Sequence, residues 1–107
     1  MDLSLGSIHQ NRSLAAVCAL SESEFIILGG TSIAGKSTYK DAILVNIENR
    51  SAKRVIKGMP GFNCITQPEM IAPGKVFAFV EREKSKTDKT KVLSTVLYDS
   101  ETQNVEF

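Results

Sequence analysis

Eight consecutive residues close to the first strongly apolar run have the spacing of a phosphate-binding loop. From Gly30 to Ser37 the chain reads Gly-Thr-Ser-Ile-Ala-Gly-Lys-Ser, which matches the P-loop pattern at every fixed position. In such a loop backbone N–H groups hold the phosphates, Lys36 reaches the β- and γ-oxygens, and Ser37 binds Mg²⁺. The apolar run at residues 25–28 precedes the motif, as a P-loop requires. The pattern therefore predicts nucleotide binding as one of the functions that the sequence supports.

The surroundings of the motif fit a nucleotide-binding enzyme less well. Residues 96–99 resemble the strand whose acid, here Asp99, supports the metal ion, and small-molecule kinases are the family that this combination is similar to. A P-loop fold needs several parallel strands with helices on both faces, which 107 residues hardly supply. The helix opened by Ser37 would contain the β-branched Ile43, Val45 and Ile47, which disfavour helices. A P-loop nucleotide-binding protein or small kinase is therefore the alternative prediction.

A repeat with a period of 51 residues organises the chain differently. Residues 25–28 align with residues 76–79, and without a gap Val45 then meets Val96. Self-similarity at a period near 50 is typical of propeller blades. Apolar runs rich in β-branched residues, separated by Gly, Pro and polar turns, predict four short strands in each copy. The predicted strands cover residues 14–20, 25–28, 42–47 and 51–56 in the first copy and 69–71, 75–80, 92–98 and 104–107 in the second.

The residues of the repeat resemble the kelch pattern. The first copy has Arg12, a small-residue strand, and an apolar strand that ends in Gly29-Gly30, and the second copy has the corner Tyr98-Asp99-Ser100-Glu101-Thr102. Paired glycines allow positive φ and close backbone approach at a strand end. In the corner the aromatic ring is expected to pack between the sheets, and the Asp and Thr side chains to hydrogen-bond local backbone.

The resemblance implies an all-β fold of two four-stranded antiparallel kelch-like propeller blades, a partial propeller. Residues 1–11 would be a lead segment, with residues 3–5 as a candidate edge strand, and the blades would cover residues 12–58 and 63–107. Two blades leave outer faces open, so self-association or a longer parent chain is expected to complete the propeller. The remaining alternative is an unrelated small β-sandwich with an accidental repeat.

A kelch-like propeller implies a non-catalytic module that binds a protein partner. The long loops at residues 31–40 and 81–91, between the second and third strands, are the predicted binding surface, because loops on a rigid scaffold carry recognition. The basic residues of these loops are the predicted contacts with an acidic partner; they are Lys36, Arg82, Lys84 and Lys86.

Composition excludes several other classes of function. The formal net charge of +1 and the absence of Trp argue against nucleic-acid and anionic-membrane surfaces. No apolar run approaches the roughly 20 residues that span a bilayer. Without a signal-like N-terminus, and with Cys18 and Cys64 as small buried residues, the chain is predicted to be cytoplasmic. His9 has no ligand partner at metal-site spacing, so neither a metal nor a cofactor is predicted.

Overall fold

All regular secondary structure in the computed structural model is β-strand. The structure describes residues 12–32, 38–85, 87–88 and 90–107, and in these ranges it contains no helix, so no helix there could cross a membrane. The prediction of an all-β fold is confirmed. His9 and the candidate edge strand at residues 3–5 lie outside the described residues. The strands are β1 (Arg12–Ser13), β2 (Ala16–Ala19), β3 (Glu24–Leu28), β4 (Thr31–Ser32), β5 (Asp41–Asn46), β6 (Ser51–Lys57), β7 (Phe62–Cys64), β8 (Glu69–Ala72), β9 (Lys75–Glu83), β10 (Lys91–Asp99) and β11 (Asn104–Glu106).

The strands form two antiparallel sheets with the same order of strands along the chain. The first sheet has the order β2-β3-β5-β6. The second sheet has the order β11-β10-β9-β7, and β8 pairs with β9 next to β7. β1 and β4 form a separate two-stranded ladder. Each sheet is therefore an up-and-down meander, and β3, β5 and β6 correspond to β9, β10 and β11.

Two features of the second sheet differ from the sequence prediction. The predicted first strand is split, because β7 was not foreseen and β8 continues along β9 where β7 ends. The predicted loop at residues 81–91 is shorter, since β9 extends to Glu83 and β10 begins at Lys91. Glu83 and Lys91 are direct cross-strand partners. These two residues, which the prediction placed in a loop, thus form an opposite-charge pair that favours strand pairing.

One apolar layer between the two sheets forms the core. The first sheet contributes fully buried side chains from β2, β3 and β5, which are Ala16, Ile26, Leu28 and Ala42. The second sheet contributes Val76, Ala78, Val80, Val96 and Tyr98, all at most 1% exposed. Because side chains alternate between faces along a strand, these residues all lie on the facing surfaces of the two sheets.

The two sheets pack head to tail rather than back to back. The period of 51 residues maps the core residues Ile26 and Leu28 onto Phe77 and Phe79. Phe79 lies on the outer face of the second sheet and is 52% exposed. The face of the first sheet that covers the core is thus the equivalent of the uncovered face of the second sheet.

In the second half of each copy, equivalent positions are 53 residues apart and not 51. Val45 pairs with Phe25 in the first sheet, whereas Tyr98 pairs with Val76 in the second. Arg50 and Gln103, 53 residues apart, both have left-handed φ angles, of 54° and 57°. Val45 therefore corresponds to Tyr98 and not to Val96. A shift of two residues keeps every side chain on the same face, so the apolar pattern could not reveal it.

The paired glycines at the end of β3 have the role predicted for them. Gly29 and Gly30 have φ angles of +63° and +95°, and the Gly30 N–H donates to the Phe62 carbonyl at 2.9 Å. A Cβ on Gly29 would lie 2.9 Å from the ring of Phe62, closer than side chains tolerate. The first strand of the second sheet therefore rests directly on the backbone at the end of β3.

Two glycine variants distinguish the energetic cost of a clash with Phe62 from the cost of a left-handed backbone. Gly58 also has positive φ, at +74°, but a Cβ there would meet no atom within 4 Å. We expect Gly58→Ala to cost about 1 kcal/mol of unfolding free energy, from its left-handed backbone alone. Gly29→Ala should cost about 2–4 kcal/mol, because the Phe62 ring must also move. Urea unfolding of both variants checks this, and equal losses would contradict the contact.

Candidate functional site

The strands that flank the two predicted loops meet at the same end of the two sheets. β3, β6 and β9 end there and β5, β7 and β10 begin there, and we call this surface the loop end. The Lys91 ammonium donates to the Thr38 hydroxyl at 3.4 Å, which ties β10 to the segment before β5. The short turns at residues 20–23, 47–50, 73–74 and 100–103 lie at the opposite end, the turn end.

Gly61 is the point where three segments of the loop end meet. Its carbonyl accepts a hydrogen bond of 3.0 Å from the Glu83 N–H. A Cβ on Gly61 would lie 2.8 Å from both Glu83 Oε1 and Thr38 Cβ. Only glycine allows the connection between the sheets to pass this close to β9 and to the residues before β5.

A cleft of about 430 Å³ opens at the loop end between the first sheet and the end of β9. Its lining residues are Lys40, Gly58, Met59, Pro60, Glu83 and Ser85. Met59 and Glu83 are buried, at 5% and 7% exposure, while Lys40 and Pro60 are exposed. The Met59 N–H donates to the Lys40 carbonyl at 3.1 Å and fixes the connection over the start of β5. An apolar floor with a cation and a carboxylate beside it suits recognition of a short polar-and-apolar segment.

The loop between β9 and β10 is held by its own hydrogen bonds. The Asp88 carboxylate accepts the Thr90 N–H at 2.9 Å, and the Asp88 N–H donates to the Ser85 hydroxyl at 2.9 Å. The Thr90 hydroxyl, and then its N–H, lower the pKa of Asp88. The Lys84 N–H closes the loop on the Thr90 carbonyl at 2.9 Å. Lys84, Ser85, Asp88 and Thr90, which these hydrogen bonds hold, lose less conformational entropy when a partner binds.

The four predicted contact residues differ in where the structure places them. Lys36 and Lys86 lie outside the described residues. Lys84 is exposed at the loop end. Arg82 lies in β9 instead of a loop, and its guanidinium donates to the Ser94 hydroxyl at 3.2 Å and to the Glu83 carbonyl at 3.1 Å. The guanidinium of Arg82 therefore braces the hairpin of β9 and β10.

The cleft also contains residues that sequence reasoning missed. Residues 58–61 fall between the predicted strands 51–56 and 69–71, yet Met59 and Pro60 line the cleft. Lys40 and Glu83 both lie in predicted loops. Neither is among the residues predicted to contact a partner. A Gly-x-Pro-Gly segment between two repeats was the available signal, because a rigid connection must cross where the two units meet.

The residues around the P-loop motif do not continue as a P-loop fold does. Thr38 forms an antiparallel bridge with Thr31, and the Tyr39 N–H donates to the Gly30 carbonyl at 2.8 Å. The chain then enters β5, so no helix follows the motif in the described residues. Asp99 ends β10, roughly 26 Å along the strand from Lys91, which contacts Thr38. The acid proposed for the metal is thus remote from the motif.

The turn end has a second cleft and the predicted aromatic corner. The cleft, of about 470 Å³, includes Glu24 and Tyr98 in its lining. Tyr98 is fully buried in the core, and Asp99 Oδ1 accepts the Glu101 N–H at 2.9 Å. The packing predicted for the aromatic ring and the hydrogen bond predicted for the Asp side chain are confirmed, while the one predicted for the Thr102 side chain stays a prediction. Burial raises the pKa of the Tyr98 phenol, and the carboxylates of Asp99 and Glu24 raise it further.

Other chemistry is sparse in the part of the chain that the structure describes. No group of three or more His, Cys, Asp or Glu side chains there could hold a metal ion. Cys18 and Cys64 are half-buried free thiols, and burial raises the pKa of both. A raised pKa keeps a thiol protonated and poorly nucleophilic, so both cysteines have the character of packing residues.

Searches against models of protein families and against curated proteins found no match. The geometry of the loop end is therefore the main guide to function, and the kelch assignment stays a hypothesis.

Tyr98→Phe should change how stability depends on alkaline pH. Because the folded pKa of Tyr98 lies above the ordinary value of about 10, its contribution is complete below that pH. The contribution is lost as pH rises through the folded pKa, since the unfolded chain releases the proton first. We expect the stability difference between wild type and Tyr98→Phe to shift against the wild type from about pH 9 to 11. A constant difference in urea unfolding over this range would contradict the assignment.

Proposed function

We propose that the chain is a non-catalytic protein–protein interaction module whose binding surface is the loop end. The observation that carries this proposal is the convergence of three connections around one cleft of about 430 Å³. Gly61 fixes the crossing of these connections, and hydrogen bonds through Asp88 order the loop beside it. An ordered, concave surface with an apolar floor at Met59 is suited to bind a segment of another protein.

We infer that the two sheets are kelch-like blades of a partial propeller. Four observations support this: matching strand order, head-to-tail packing, positive φ at Gly29 and Gly30, and the buried Tyr98 of the corner. Head-to-tail packing leaves the outer face of the second sheet, which carries the exposed Phe79, open at that end of a stack. A further unit of a ring, which self-association or a longer parent chain would provide, would cover this face.

The charges at the loop end favour a partner segment that carries acidic side chains. Lys40, Lys84 and Lys91 are exposed there, while the buried Glu83 lies in the cleft and Asp88 is engaged with its own loop. Exposed lysines mainly steer an acidic partner and raise the association rate. The free thiols described above are consistent with a reducing compartment, so we propose the cytoplasm as the location.

The nucleotide-binding alternative rests on the sequence of residues 30–37 alone. Calorimetry with Mg-ATP tests it directly, with Lys36→Ala as the matched variant. Saturable binding to the wild type that Lys36→Ala abolishes would favour this alternative and contradict protein binding as the main function. The antiparallel bridge between Thr31 and Thr38 leads us to expect no binding.

Charge reversal tests the proposed surface. We expect Lys40→Glu/Lys84→Glu to reduce capture of the specific protein partner by tenfold or more, on the order of what adverse charge contacts cost. Lys53→Glu/Lys75→Glu, on β6 and at the turn-end start of β9, is the control, because it alters two exposed lysines outside the loop end with the same change in net charge. Quantitative affinity capture with each immobilised variant measures the effect. Equal losses for both double variants, or no loss for either, would contradict the proposal.

A further inference from the structure

The corresponding strands β5 and β10 are paired over different lengths on the side that faces away from β3 and β9. In the first sheet β6 pairs along β5 from Asp41 to Asn46. In the second sheet β11 pairs only with the last three residues of β10, from Leu97 to Asp99. Within the described residues, no strand pairs with residues 91–96 on the side of β10 that faces away from β9. Within the described residues, this side of residues 91–96 is therefore an open strand edge.

The side chains on this open edge are mostly uncharged and partly apolar. Leu93 is 79% exposed, the highest value among the exposed large apolar residues of the described chain. Phe79, on the neighbouring strand and on the same outer face, is 52% exposed. Lys91 is the one charged residue in the segment 91–96. An exposed, apolar strand edge of this kind is a site for pairing with another strand.

The first sheet has edges at β2 and β6, and the edge at β6 has the opposite character. Its strand carries Lys53, Arg54 and Lys57, which are all exposed. Pairing β6 with the same strand of a second copy would bring like charges together across the ladder. Lysines on an edge strand are a common protection against such pairing. The edge of β10 has less of this protection than that of β6, because Lys91 is its single charged residue.

We infer that a second copy of this chain pairs with the open edge, through an antiparallel ladder between the two β10 strands. In the register that places Leu93 opposite Leu93 of the second copy, Lys91 lies opposite Thr95, and Val92 lies opposite Ser94. This register sets Leu93 against Leu93 of the second copy and keeps the two lysines apart. It is isologous, as in most homodimers. The edge is self-complementary, which selects a second copy over an unrelated acidic or basic strand.

The pairing would continue the second sheet across both chains. Leu93 of each copy would extend the outer apolar row that Phe79 and Leu97 already form. This interface uses β10 and not the loop-end cleft, so it goes beyond the proposed function and can fail independently of it. Capture of a protein partner tests the cleft, whereas the oligomeric state tests the strand edge.

Sedimentation velocity of the 107-residue chain at concentrations of about 1 to 100 µM tests the inference. We expect a dimer whose dissociation constant rises on the order of tenfold or more in Leu93→Lys, which places like charges opposite each other. Val17→Lys is the matched control, because Val17 is an apolar strand residue of the first sheet with 50% exposure. A monomeric wild type, or a dimer weakened equally by both variants, would overturn the inference. Far-UV circular dichroism verifies that both variants fold.

A cysteine at position 93 gives a second test, which does not depend on weakening the dimer. Directly opposite residues of an antiparallel pair have Cβ atoms about 4.5–5.5 Å apart, so Leu93→Cys should form an intermolecular disulfide on mild oxidation. Wild type, which has only the half-buried Cys18 and Cys64, and Val17→Cys are the controls. Cross-linking of Leu93→Cys well above both controls supports the ladder. Equal cross-linking of Leu93→Cys and Val17→Cys would overturn it.

Discussion

The contact between the Phe62 ring and the backbone of Gly29 determines how the two halves of the molecule meet. Phe62 is fully buried and follows the connection between the sheets directly, and its carbonyl accepts the Gly30 N–H. The edge of its ring contacts Phe107, with the ring centroids 5.7 Å apart. Since β3 ends and β7 begins at this contact, it sets the start of the second sheet against the end of the first.

The core and the loop end both depend on this arrangement. Once β7 lies on β3, the facing residues of the two sheets close into one apolar layer that includes Ile26 and Val80. The connection that leads to Phe62 must then cross between β5 and β9, which places Met59 beneath the cleft and requires glycine at position 61. The surface proposed to bind a partner is thus a consequence of how the sheets are joined.

Much of the architecture could be predicted from the sequence because the signals were local. Apolar runs between turn residues indicated strands, and the paired glycines and the Tyr98 corner indicated a strand end and a packed turn. The signals for β7 and for the extension to Glu83 were non-local, because those residues become strands through their partners on β9 and β10. The two-residue offset between the copies was invisible because it leaves the alternation of faces intact. Three segments that are distant in the sequence form the cleft, so no single segment contains all of its lining residues.

Head-to-tail packing is the central claim, and methyl-directed nuclear Overhauser spectroscopy tests it most directly. The account predicts contacts from the methyl groups of Ile26 and Leu28 to those of Val80 and Val96 across the core, and none from Phe79 to the first sheet. Contacts between the Phe79 ring and Ile26 or Leu28 would contradict it, because the opposite face of the second sheet would then form the core.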